Sequence, residues 1–436
     1  MKKIFTLLFL LFILFKGYAQ TLYFPPVSGN TWDTLAPSSL GWCQESIDSL
    51  YNYLQHTNSD AFILLKDGKI VLEKYFGTFT QDSIHYWASA GKSLTAMMVG
   101  IAQQKGLLNI NDSVSKYLGV GWSSESPQKE RLITIRNLLT MTSGMDDAPP
   151  FPCGNDDFST SCLQYKADAG TRWAYHTGAY KKLEEIVSTV SGKTYNGATN
   201  DYIEMLTGMN GAWTPNGVYF SKPRDMARYG LLALNKGVWQ NDTILKDTAY
   251  FRAMTNTSQH FNLSYGYLWW LNGKASTMIP GSQLILPTRI IPNAPNDLYC
   301  ALGKNDQKIY VVPSKNIVVI RVGASAYSAD ALSPYDTLIW NYINQLEQGC
   351  TATAVIGKRK EVDLKIFPNP ATHFISFLGF AEERNIHYSI MNTAGQVILE
   401  SDTFNHSIDV SELASGQYIL SLQSEDRQTT RQFVKN

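Results

Sequence analysis

The sequence has no net charge. Its 436 residues hold 37 Lys and Arg against 37 Asp and Glu, and only 17% are charged. Nucleic-acid binders carry a high pI and clustered cations, so this composition argues against that class, and the low charge fraction argues against a disordered acidic or basic tail. Metal signatures are missing as well. Neither C-x-x-C nor H-E-x-x-H occurs, and the seven histidines are scattered, three of them beyond residue 370. Without ligand spacing no metal is expected, and no organic cofactor is implied. The G-x-S-x-G turn is also absent, which closes the α/β-hydrolase route.

Long apolar runs are confined to the start. MKKIFTLLFLLFILFKGYAQ places Lys2 and Lys3 before an apolar stretch from Ile4 to Phe15, with a small-x-small site at Gly17-Tyr18-Ala19. This is the layout of a secretory signal peptide over residues 1–19. As an anchor, about a dozen apolar residues are too few for a ~30 Å hydrocarbon core, and no later stretch reaches the ~18 residues of a spanning helix. The mature protein is therefore expected to lack a transmembrane segment and to be exported through the periplasm. Five cysteines remain: Cys43, Cys153, Cys162, Cys300 and Cys350. Export permits disulfides, and a Cys153–Cys162 bridge would close a Pro/Gly/Asp/Ser loop; the odd count leaves at least one thiol unpaired.

A hydrophobic fraction of 44% suits one large domain with a sizeable core plus a smaller unit. Ala61–Gly77 reads as a hairpin turning at Lys66-Asp67-Gly68-Lys69. Ser89–Lys105 is apolar on nearly every side and closed by Gly106, the pattern of a buried helix. Helical patterns recur at Thr134–Met141, Ala179–Ser191, Asp225–Leu234 and Pro334–Leu346, and strand patterns at Leu298–Leu302, Lys308–Val312 and Ile317–Val322. Strands at both ends with helices between predict an α+β domain, a sheet joined to a helical cluster. The expected boundaries are an N-terminal extension at 20–40, a main domain at 41–350 and a small, basic linker at 351–362. Short alternating strands over 363–436 predict a C-terminal β-sandwich.

Ser89-Ala90-Gly91-Lys92 opens the buried helix. One turn separates Ser89 from Lys92, so both side chains project from one face. Burial and a helix N-terminus both favour the neutral amine, a competent base towards a serine hydroxyl, and the Ser89 N–H can face a developing oxyanion. The competing reading is an N-cap serine with a solvated lysine, and the apolar run after Lys92 weighs against it. Tyr175 lies in Trp173-Ala174-Tyr175-His176-Thr177-Gly178, ahead of a helix. Beside a cationic lysine its hydroxyl is expected to fall below the usual ~10 and to act as a base. Lys304, in Gly303-Lys304-Asn305-Asp306-Gln307, would bind an anionic group if its strand lay at an edge facing the nucleophile. Singly, each is more often a packed tyrosine or a surface lysine. Asp146-Asp147 and Asp156-Asp157 fit turns and caps better than paired acids. A Ser89 pair with His85 or His176 lacks a third partner. Trp269-Trp270 reads as core, with lining of the cleft as the alternative.

Taken in order, these motifs resemble the serine β-lactamase-related family, which includes class C β-lactamases, penicillin-binding D,D-peptidases and related esterases. Ser89-Ala90-Gly91-Lys92 matches the family's S-x-x-K, Tyr175-His176-Thr177 its Y-x-N, and Lys304-Asn305-Asp306 its K-T-G or H-x-G. Leu138–Gly144, Asp168–Thr171 and Pro223–Arg228 resemble its framework stretches, and the likeness covers roughly 41–350. The resemblance implies an antiparallel sheet flanked by helices, with the active site between the sheet and a helical cluster. It implies Ser89 as nucleophile, Lys92 as its base, Tyr175 as general acid/base, and Lys304 and Thr177 as substrate-binding residues. The oxyanion donors it implies are the backbone N–H groups of Ser89 and Gln307.

Two positions depart from the family. Thr177 replaces an Asn amide with one hydroxyl. Asp306 replaces a Gly, which is expected to set a carboxylate beside the substrate and to disfavour β-lactams. The expected activity is a secreted serine hydrolase acting through an acyl-enzyme on an ester, amide or peptide. The alternatives are a catalytically inactive β-lactamase-like binding protein and a true β-lactamase. Phe367-Pro368-Asn369-Pro370-Ala371, Asn392–Gln396 and Leu413–Tyr418 make the tail resemble the C-terminal sorting domain of type IX secretion. That resemblance implies the type IX machinery as a partner and a secreted or cell-surface location.

Overall fold

The computed structural model describes residues 22–327, 334–350, 365–378, 387–393, 395–402, 407–423 and 428–436. The expected signal peptide and linker lie outside the described residues.

Six strands form the main sheet: β1 (Ser59–Lys66), β2 (Lys69–Tyr75), β3 (Trp270–Leu271), β4 (Tyr299–Gly303), β5 (Gln307–Val312) and β6 (Ile317–Gly323). Their spatial order is β2-β1-β6-β5-β4-β3, and every pairing is antiparallel. The β1–β2 turn has positive φ at both Asp67 (52°) and Gly68 (84°), the geometry that favours Asp-Gly in two-residue hairpins. Residues ahead of the first helix run along this hairpin, with Trp32 Nε1 donating to Gly68 O at 2.8 Å.

The long helices are α1 (Gln44–His56), α2 (Gly91–Gln104), α3 (Thr177–Ser191), α4 (Pro223–Leu234) and α5 (Tyr335–Leu346). Every residue of β5 and β6 is buried, because helices cover both faces of the sheet. Side chains alternate along β6. Val318 faces α4, where Gly230 lets the helix approach so closely that a Cβ would stand 2.5 Å from Val318 Cγ1. Arg321 points the other way, 5.1 Å from the Tyr335 ring of α5. There α5 meets α1, with Tyr53 stacked on Tyr335 and Tyr342. Helices α2 and α3 belong to the helical cluster beside the sheet.

Two disulfides are present, Cys43–Cys350 and Cys153–Cys162, and Cys300 is free and buried. The first was not anticipated; it ties the N-cap of α1 to the residues beyond α5. The tail has its own core, including Ile375, Ile390, Leu420 and Phe433. It forms two sheets, one of β7 (Lys365–Phe367), β8 (Phe374–Leu378) and β11 (Ser407–Asp409). The other holds β9 (His387–Asn392), β10 (Val397–Ser401), β12 (Gly416–Gln423) and β13 (Gln428–Lys435).

Candidate active site

Ser89 sits just before α2, in a single 3-10 turn over Ala88–Ala90. Ala88 has φ +48°, a left-handed conformation that L residues with a Cβ seldom adopt and that costs of order 1 kcal/mol or more. Ser89 is thus presented on a strained turn. Lys92 Nζ donates to Ser89 Oγ at 2.9 Å. Only 2% of Lys92 is exposed. Burial lowers its pKa from 10.5 to about 7, with Lys181 adding to the shift and Glu184 and Asp156 opposing it. The ammonium lies 4.3 Å from the Tyr180 ring and 5.0 Å from the Tyr175 ring, a cation–π cradle in place of a carboxylate contact. Glu184 is a nearby, partly buried acid, and desolvation raises its pKa to about 7.

Tyr175 ends the segment leading into α3. The expected acidification does not occur. Burial drives its pKa up to about 12, and a hydrogen bond with Ser89 offsets only part of that. Lysine meets the face of the ring, so it does not act on the hydroxyl as an adjacent charge would. The ring stacks on Trp270 at 5.8 Å, and Trp173 and Tyr265 complete an aromatic cluster. Trp270 therefore buttresses the site, while Trp269 packs against Tyr229 and Tyr299. Neither histidine has a bond to Ser89. His85 stands 3.4 Å from Asp60, and His176 Nδ1 accepts from Ala179 N at the start of α3. Thr177 is the first residue of α3. Its N–H goes to Asn155 Oδ1 at 3.0 Å, and Asn155 Nδ2 donates to Tyr175 O at 2.8 Å. Sequence reading missed Asn155, because no residue-type pattern links this loop position to a turn twenty residues on.

The sheet side differs from expectation in two respects. Lys304 is on a turn, not an edge strand: residues 304–306 join β4 to β5, with φ of 62° at Asn305 and 61° at Asp306, and the Lys304 side chain is exposed. Gly303 packs tightly against the turn that carries Ser89. A Cβ there would lie 2.3 Å from Trp87 O and 3.2 Å from Ala90 N. Gln307 pairs across from Gly303 on the next strand. Its amide is consumed within the hairpin, donating to Asn305 O (2.7 Å) and Gly323 O (2.6 Å) and accepting from Gly323 N. These bonds involve the Gln307 side chain, not the backbone N–H expected to face an oxyanion.

Asp306 turns into the protein. Its carboxylate is buried, 3.2 Å from Lys308 Nζ, and accepts from Ala326 N at 2.9 Å. The paired acids also have structural partners: Asp147 Oδ1 takes Arg172 at 2.5 Å, Asp146 takes Lys166, and Asp157 accepts from Ser159 N. Cys153, Asp157 and Cys162 cluster as a metal site might, but the two sulfurs are bonded to each other.

The sequence profile of the beta-lactamase family matches residues 48–341, well over half of the chain. The chain belongs to the beta-lactamase family. Members of this family are generally serine hydrolases. Residues 365–436 match the secretion system C-terminal sorting domain, which indicates handling by the type IX machinery and a secreted or surface location. Among the described residues no helix is long and apolar enough to cross a membrane.

An uncharacterised protein of Alkalihalophilus pseudofirmus is 24% identical over 303 residues, covering 59% of this beta-lactamase-family chain and 81% of the relative. The 6-aminohexanoate-dimer hydrolase of Paenarthrobacter ureafaciens is 22% identical over 280 residues, covering 54% of this chain and 70% of the relative. Some other relatives are matched over only 37% of their own length. The fold is shared with the solved hydrolase EstCE1, described as having promiscuous acyltransferase activity. That match has a TM-score of 0.54 and 13% identity, and covers 70% of this chain and 99% of the other.

Proposed function

We propose that this protein is an exported serine hydrolase that cleaves an ester or amide bond through an acyl-enzyme on Ser89. One observation carries the reading: a buried lysine, its pKa lowered to about 7, lies 2.9 Å from a serine hydroxyl on a strained turn. About half of Lys92 is then neutral at pH 7, and its lone pair takes the Ser89 proton as Oγ attacks the carbonyl carbon. Tyr175 keeps its proton at neutral pH, so it begins as a donor. It gives that proton to the leaving group and recovers one from Lys92. Water then attacks the acyl-enzyme with the same groups acting in reverse. The Ser89 and Lys304 N–H groups are assigned to the oxyanion, since Gly303 has no Cβ to hold β4 away from the nucleophile turn. Lys304 has no ion-pair partner among the described residues and is assigned to an anionic group of the substrate. Amide hydrolysis agrees with the 6-aminohexanoate-dimer hydrolase relative.

The test is intact mass after treatment with a fluorophosphonate, beside Ser89→Ala, followed by turnover of p-nitrophenyl esters and amides. One adduct that is absent in the variant is expected. No adduct on folded protein would overturn the reading in favour of a binding protein. A chromogenic cephalosporin turned over faster than the esters and amides would make it a β-lactamase.

A further inference from the structure

We infer that Asn155 is a positioning residue for this reaction and that the Cys153–Cys162 bridge acts through it. This rests on the acyl-enzyme reading above. The first N–H groups of an α-helix have no partner within the helix. In α3 the first two, Thr177 and Gly178, are both taken by Asn155, through Oδ1 at 3.0 Å and through its main-chain oxygen at 2.7 Å. The third, Ala179, goes to His176 Nδ1. An ordinary cap is local, whereas this one comes from about twenty residues away and also reaches back over the helix start. Asn155 Nδ2 donates to Tyr175 O at 2.8 Å and to Asp147 O at 2.9 Å. One side chain thus fixes the main chain on both sides of His176, and with it the placement of the Tyr175 hydroxyl relative to Ser89 and Lys92.

The loop that carries Asn155 has little else to hold its shape. Phe151 is 97% exposed, and from 151 to 161 no residue is buried. Lys181 of α3 donates to Asp156 O at 3.0 Å and lies over the Phe158 ring, and two further features hold it. The Cys153–Cys162 bridge spans a separation of nine residues. The loop is also pressed against α3, where a Cβ on Gly178 would lie 2.0 Å from Asp157 O. Thr177, in the place of the family's amide, brings no amide to this turn; Asn155 supplies one from outside it, directed at the backbone.

The experiment uses the full chain in four forms, wild type, Asn155→Ala, Cys153→Ser/Cys162→Ser and their combination, with Asn155→Asp as a further variant. Misplacement of a reacting group by about 1 Å costs on the order of 10²-fold. Asn155→Ala should therefore lower kcat for a p-nitrophenyl ester about ten- to a hundredfold with KM within about threefold. Asn155→Asp keeps the acceptor but sets oxygen against two carbonyls, and should fall at least as far. Removing the bridge should lower kcat in the wild type yet change it less than about twofold once Asn155 is gone, since the two act through one contact. Amide hydrogen exchange at Thr177 should be about tenfold faster or more in Asn155→Ala.

Unchanged kcat in Asn155→Ala, a bridge effect that simply adds, or unchanged exchange at Thr177 would each overturn the inference. A wild type that neither turns over ester nor takes the fluorophosphonate would overturn the acyl-enzyme reading and the catalytic role together. The exchange result would then still report whether Asn155 holds the turn.

Discussion

Replacing Lys92 by Met is expected to abolish acylation and to make the protein more stable at neutral pH. In the folded protein burial lowers the lysine pKa from 10.5 to about 7. The unfolded chain then binds the proton more tightly than the folded one, so stability rises with pH between the two values. The cost is fully present below pH 7, is lifted progressively from 7 to 10.5, and is gone above. The difference between 10.5 and 7 is worth about 5 kcal/mol, of which about 4 kcal/mol remains at pH 7. Methionine has a similar length and no charge, but it loses the hydrogen bond to Ser89, worth about 1 kcal/mol. The net gain at pH 7 is about 3 kcal/mol, or about 5 °C in melting temperature for a domain of this size. Melts of wild type and Lys92→Met from pH 6 to 10, with ester turnover measured in parallel, read both consequences. The gap should shrink as pH rises and reverse slightly near 10. Wild-type kcat/KM should rise about tenfold per pH unit below 7 and level off above it. A variant less stable than wild type at pH 6, or a gap that ignores pH, would refute the idea of a desolvated lysine poised as base.

Tyr175→Phe should lower kcat by about 10²-fold, the usual contribution of a positioned acid/base. Because burial holds the wild-type hydroxyl up at about 12, the pH–rate profile should show no alkaline fall from this residue below pH ~10, and a fall near pH 8 would restore the acidified tyrosine. Asp306→Ala should lose about 3 kcal/mol of stability in denaturant melts, because it leaves buried Lys308 short of one partner. It should not create cephalosporin turnover; turnover gained without loss of stability would return the carboxylate to the cleft.

Local signals in the sequence carried far. Asp67-Gly68 specified its hairpin because both positions need positive φ, and α2 was readable because an apolar run closed by glycine has few other solutions. Spacing alone placed Lys92 on the face of Ser89. What escaped was non-local. Cys43 and Cys350 are 307 positions apart, and nothing in either neighbourhood names the other. Asn155 meets Tyr175 only because a loop folds back onto a helix start. The β4–β5 turn did carry a signal that was passed over: Asn305 and Asp306 are among the residue types that tolerate the left-handed region, and both adopt it. Reading that pair as a turn would have moved Lys304 off the strand. The tyrosine error has a different origin. A single cation was weighed, while the dominant effect was burial among aromatic rings, which follows from tertiary packing.

The reassignment of Asp306 changes the electrostatics expected at the site. Beneath the hairpin, Lys308 Nζ contacts Asp306 at 3.2 Å and Asp336 at 2.9 Å, and Tyr310 donates to Asp336. Arg321 donates to the Asn305 and Asp306 carbonyls and to Ser59 Oγ. Two cations and two carboxylates thus balance inside the protein, and their contacts converge on the turn that follows Gly303. A buried ionic network of this kind adds little net stability over an apolar core but fixes geometry, since breaking any one pair strands a charge. Placed under the turn, it holds Gly303 and Lys304 against the turn that carries Ser89. Of the three charged residues between Tyr299 and Val312, only Lys304 then remains exposed. The charge objection to a carboxylate-bearing substrate disappears, because the hairpin presents a cation at its rim.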